Sequence, residues 1–99
     1  MTHEQAGIWL RSMESGRYSW MYNVFHDHKD GYCAVGVLLH MVTPNTVDWF
    51  NDDRIQESMD TLLPPEAQYV VVMLNDESTT GYDPVIQDVK DALEDYITA

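Results

Sequence analysis

Residues 26–40 read HDHKDGYCAVGVLLH and hold the chain's only cysteine, Cys33, three of its four histidines (His26, His28 and His40), and the aspartates Asp27 and Asp30. As chemistry, the stretch resembles a metal site or a Cys–His nucleophile. As architecture, it resembles a turn feeding a buried element. From Cys33 to Val42 the residues CAVGVLLHMV are apolar nearly all round, the pattern of a central buried helix or of a buried strand, and periodicity alone does not separate the two. Gly36 weakens a helix but lets another backbone approach closely. Pro44 ends the element in either case.

Upstream, Tyr18, Trp20, Tyr22, Val24 and His26 alternate with Ser19, Met21, Asn23 and Phe25. This period-two pattern predicts short strands, with a turn near residues 29–31 marked by Asp30-Gly31. A two-stranded hairpin is not stable alone, so it must lie on helices. The N-terminal segment supplies one: Thr2 and Gln5 have capping-box spacing, Ala6, Trp9, Leu10 and Met13 share a face, and Gly16 stops the helix. Downstream, Ile55, Met59 and Leu62 mark a further helix. Pro64-Pro65-Glu66 then starts a new element through AQYVVVMLND; its valine run favours a strand and its Pro-Pro-Glu start a helix, and a helix is expected. In the last element Asp83 serves as cap and Pro84 as first helical residue. Val85, Val89, Ala92, Leu93 and Tyr96 form its apolar stripe, and Asp88, Asp91 and Asp95 share a solvent face. The expected fold is α+β: a small, mainly helical single domain spanning residues 1–99, with a short β-hairpin packed on a central buried helix. No repeat, low-complexity tract or linker interrupts it.

Seventeen acidic residues against five basic ones give a net charge of -12. Such a chain repels nucleic acid and anionic membranes and is attracted to basic surfaces. A hydrophobic content of 44% supports a core. No apolar run approaches the roughly 20 residues that span a bilayer, and MTHEQAGIW lacks the features of a secretory signal. A lone cysteine makes no internal disulfide and suits a reducing cytoplasm.

The residue types in the opening stretch do not assemble into a known site. Zinc takes about four nitrogen or sulfur ligands, commonly from C-x2-C or H-x3-H spacings. His26, His28 and Cys33 offer three ligands and neither spacing, so no metal or cofactor is expected. At a helix start the Cys33 thiol would have a lowered pKa, and His26 or His28 could act as its base. No oxyanion signature accompanies them, and His40 lies about two turns away, roughly 10 Å along a helix. Cys33 is therefore read as a packed residue, with a small enzyme using Cys33 and His26 or His28 as the alternative. LNDESTTGYD, with Asn75, Asp76, Glu77 and Asp83, lacks the ligand spacing of a calcium loop and reads as a helix stop, a polar loop and a cap.

Several segments occur together in order: SGRY (residues 15–18), GYCAVGVL (31–38), LPPE (63–66), LND (74–76) and GYDPVIQDV (81–89). Over most of its length the chain resembles a family of small phage- and prophage-encoded proteins. These carry an R-S-G-x-Y segment, a C-C-L-G-V-L-C-D-type helix and a terminal L-N-D stretch followed by S-F-x-x-I-A. Here Ala34 and Leu39 stand at the second and third cysteines, His40 at the aspartate, and Tyr82 at the phenylalanine. The resemblance implies a phage accessory protein acting in the cytoplasm of an infected bacterium.

With the charge, that setting leads to an expected function. The chain binds and inhibits a host protein with a basic nucleic-acid groove, such as a defence nuclease, a restriction enzyme or a CRISPR effector, by DNA mimicry for instance. The expected contacts are Asp88, Asp91, Glu94 and Asp95, then Asp52, Asp53 and Glu57. Neither nucleic acid nor membrane is an expected direct partner. A homo-oligomeric phage structural protein, joined through the aromatics around Trp20 and Tyr22, is a further alternative.

Overall fold

Thr2 opens the first helix through a complete capping box: its hydroxyl accepts from the Gln5 amide (3.1 Å) and its own amide donates to the Gln5 side chain (2.9 Å). Helix α1 (His3–Glu14) buries Ala6, Trp9 and Met13, and Gly16 follows at φ +77, the left-handed conformation that ends a helix. The computed structural model describes residues 1–27, 29–42 and 48–98. His28 and Pro44 therefore lie outside the described residues.

The central segment is a helix. Helix α2 (Ala34–Val42) is buried without interruption from Ala34 to Leu39, which explains why its sequence shows no polar face. Around it pack α1, α3 (Asp52–Leu62) and α4 (Pro65–Asp76). Helix α5 (Asp83–Asp91) lies on α1 and α4 and is followed by one 3-10 turn, Leu93–Asp95. The valine run falls inside α4, where Pro65 sets the first turn and Val71 is buried. Ile55, Met59 and Leu62 face the core as their spacing predicts.

The molecule is a small, mainly helical α+β domain, but its strand pairing differs from a simple hairpin. Strand β1 (Ser19–Trp20) runs parallel to β2 (Gly31–Tyr32), with Ser19 opposite Gly31 and Trp20 opposite Tyr32. The chain between them doubles back, and His26 pairs antiparallel with Tyr32 from the other side. Tyr32 is thus flanked by both pairings, and the predicted turn survives as a tight reversal rather than a two-strand hairpin. Its construction also differs. The Asp27 carboxylate accepts from the Lys29 and Gly31 amides, both at 2.9 Å, and these bonds hold its pKa below the usual range. Gly31 is a strand residue, and a Cβ there would lie 2.7 Å from Asp27 Oδ2, so a larger residue would have to displace the carboxylate that caps the turn.

Two expectations for the C-terminal helix are corrected. Tyr82, not Asp83, occupies the cap position, and Asp83 is the first helical residue. The helix stops at Asp91, because Ala92 leaves the helical conformation (φ -127, ψ 42). The break lets Tyr96 turn inward against Trp9, with ring centroids 6.1 Å apart, and send its hydroxyl to Asp88.

Candidate partner-binding surface

Cys33 immediately precedes α2, and its Sγ accepts from the Gly36 amide at 3.4 Å, the position of a helix N-cap. Cys33 is 5% exposed. Burial pushes its pKa up to about 11, with the neighbouring Asp76 charge acting in the same direction. A helix start alone would lower a thiol pKa; here desolvation outweighs it, and the thiolate needed for nucleophilic attack is disfavoured at neutral pH. His26 stacks on Tyr32 at 4.0 Å and bonds through Nδ1 to the Gly31 carbonyl (2.9 Å). His40 bonds through Nδ1 to the Tyr18 hydroxyl (2.9 Å), and burial, aided by Arg17 and His26, lowers its pKa. Both imidazoles are built into an aromatic cluster with Tyr18, Tyr32 and Trp49. Among the described residues, no group of three or more histidine, cysteine or acidic side chains is placed to hold a metal ion.

The close approach expected at Gly36 is present. A Cβ there would lie 1.9 Å from the Phe25 carbonyl oxygen, which itself accepts from the Cys33 amide at 3.2 Å. The loop carrying Tyr22, Asn23, Val24 and Phe25 is therefore laid directly on the first turn of α2.

Asn75 completes that arrangement, and its role was not evident from the sequence. It is 1% exposed and lies on α4. Its Oδ1 accepts from the Ala34 amide (3.0 Å) and from Trp20 Nε1 (3.2 Å), while Nδ2 donates to the Met21 carbonyl (2.9 Å) and to Asp76 (3.2 Å). Asp76 in turn accepts from the amide of Asn23, which adopts φ +64. The Leu74-Asn75-Asp76 segment is thus a clasp joining α4, β1, the 22–25 loop and the start of α2. The sequence points to Asn75 only as a weak calcium-loop candidate, as part of a helix stop and as part of the LND segment.

The acidic residues do not form one helical face. Asp91 ends α5 and accepts from Gln87 (2.9 Å), while Glu94 and Asp95 sit on the 3-10 turn, Glu94 being 3.3 Å from His3. Asp88 is half-buried and is committed to the Tyr96 hydroxyl. Asp88 and Asp95 meet across a shallow groove of about 500 Å³, lined also by Pro64, Pro65, Glu66 and Tyr96, and Glu66 is a carboxylate that the sequence reading had not grouped with them. Asp52, Asp53 and Glu57 are exposed on α3. Two of them occupy its first turn, where they also oppose the positive end of the helix dipole. Helix α3 packs on α2, whereas α5 packs on α1 and α4, so the two acidic groups occupy different parts of the surface. Lys90, bonded to Glu14 at 3.5 Å, is the one base among residues 83–95.

A second kind of surface lies over the clasp. Tyr22 (52% exposed), Val24, Tyr69 (71%) and Met73 expose apolar area around the 22–25 loop and the outer side of α4, and Phe50 is 86% exposed. No helix among the described residues is long and apolar enough to cross a membrane. No family model matches the chain, and no curated protein or solved structure is detectably similar to it.

Proposed function

We propose that the protein is an acidic binding module that occupies and blocks a basic, phosphate-holding surface on a bacterial nucleic-acid-handling protein. On the phage resemblance, it acts in the cytoplasm of an infected host. The observation that carries this reading is the exposure of Asp91, Glu94, Asp95, Asp52, Asp53 and Glu57 on a chain of net charge -12, with few cations beside them. A surface of this kind accelerates encounter with a basic partner and favours it over acidic ones. The burial of Cys33 and its raised pKa weigh against a cysteine-dependent enzyme.

The test is affinity capture from a lysate of an expressing bacterium, followed by measurement of affinity for the captured protein across a salt series. Affinity should fall with salt, and changing Asp91→Asn, Glu94→Gln and Asp95→Asn together should weaken it by about tenfold. A salt-independent interaction that tolerates all three substitutions would exclude the reading. Asp88 is left unchanged because it anchors Tyr96.

A further inference from the structure

The ridge formed by Val24 and Phe25 separates two depressions. On one side, Val24, Phe25, Val35 and Val72 line a notch of about 80 Å³, with the buried Cys33 behind them and Asp76 in the wall. On the other side, Phe25, Trp49 and Ile55 line a wider hollow of about 350 Å³, with Asp52 at its edge. Among the described residues, each lining contains one carboxylate and neither contains a lysine or arginine. The Asn75 amide in the notch wall is already engaged with Ala34, Trp20, Met21 and Asp76, so what the notch offers a visitor is mainly apolar contact. Its volume is about half that of the roughly 150 Å³ cavity that accepts benzene, so its size suits a single aliphatic side chain and not an indole.

We propose that this face is the docking site for a cationic segment of the partner protein. One valine, leucine or isoleucine of that segment enters the notch between Val24 and Val72, and flanking lysines or arginines lie against Asp76 and Asp52. Charge selects the occupant. A second copy of the chain would bring -12 against -12, whereas a basic segment meets a carboxylate at each depression. The proposal rests on the reading of the protein as a binder of basic partners, and it names the side chains that seat the partner.

The experiment uses the full chain, labelled at its Val, Leu and Ile methyls, titrated with the synthetic peptide acetyl-Lys-Arg-Leu-Arg-Lys-amide. The same frame with a central Gly or Trp serves as comparison. Saturable shifts are expected at the methyls of Val24, Val35 and Val72, with the Gly and Trp peptides binding about tenfold more weakly. Val72→Phe, which fills the notch, should abolish the preference for Leu; Val24→Ser, on the exposed loop, should reduce it without endangering the fold. Equal affinity of the Gly and Leu peptides overturns the proposal, as does the absence of saturable binding. Shifts confined to residues around Asp91, Glu94 and Asp95 overturn it while leaving the broader acidic-binder reading intact. Concentration-dependent shifts at the same methyls without peptide, accompanied by dimers in sedimentation, would make a second copy the occupant and also overturn it. Loss of the salt-dependent capture described above would remove the broader reading independently of any peptide result.

Discussion

The start of α2 and the end of α5 carry the side chains of most obvious chemical potential, and they meet opposite environments. At the start of α2, Cys33, His26 and His40 are drawn into hydrogen bonds and ring stacks, and the thiol is held protonated by burial. At the end of α5, Asp91, Glu94 and Asp95 remain exposed. Residue type alone suggests catalysis at the first place and solubility at the second. Burial inverts that expectation: the potential nucleophile becomes packing, while the ordinary surface carboxylates keep a long-range field.

Substitutions at the two places should therefore differ sharply in cost. Gly36→Ala is the most severe. Alanine gains about 1 kcal/mol in intrinsic helix propensity, but its Cβ would overlap the Phe25 carbonyl at 1.9 Å. Backbone on both sides leaves little room to yield, so a net loss of about 3 kcal/mol or more is expected in urea unfolding. A variant as stable as the parent would mean that the loop does not rest on α2. Asn75→Ala comes next. It removes the partner of the Ala34 amide, Trp20 Nε1 and the Met21 carbonyl, and should cost about 2–4 kcal/mol. Trp20 fluorescence should report the change, and an unaltered spectrum with unaltered stability would break the contrast from the other side. Asp91→Asn with Glu94→Gln should shift stability by no more than about 0.5 kcal/mol, since both groups are exposed and their contacts are weak. A larger loss would show that the acidic end is structural after all.

The sequence disclosed what neighbouring residues determine. The capping box of Thr2 and Gln5, the Gly16 stop, the spacing of Ile55, Met59 and Leu62, and the close approach at Gly36 all follow from residues a few positions apart or from one side chain's absence. The parallel pairing of β1 with β2 did not, because it depends on a ten-residue excursion returning to the same edge, held there by Asn75 from a distant helix. The end of α5 was obscure for a related reason. No glycine or proline stands at Ala92, and the break reflects the inward turn of Tyr96 towards Trp9 and Asp88. The acidic residues were legible as two groups, one in the third helix and one in the last element. The split of the second group by the helix end at Ala92, with Asp88 drawn to Tyr96, became visible only in the structure.

The Asn75 clasp also bears on how the molecule opens. The Ala34 amide belongs to the first turn of α2, whose N–H groups lack partners within the helix. Its acceptor comes from a residue 41 positions later in the chain. That proton is therefore protected only while α2 and α4 are docked, whatever the state of either helix alone. Its exchange with deuterated solvent times the separation of the two helices, and the indole proton of Trp20, bound to the same oxygen, keeps a second clock on the same event.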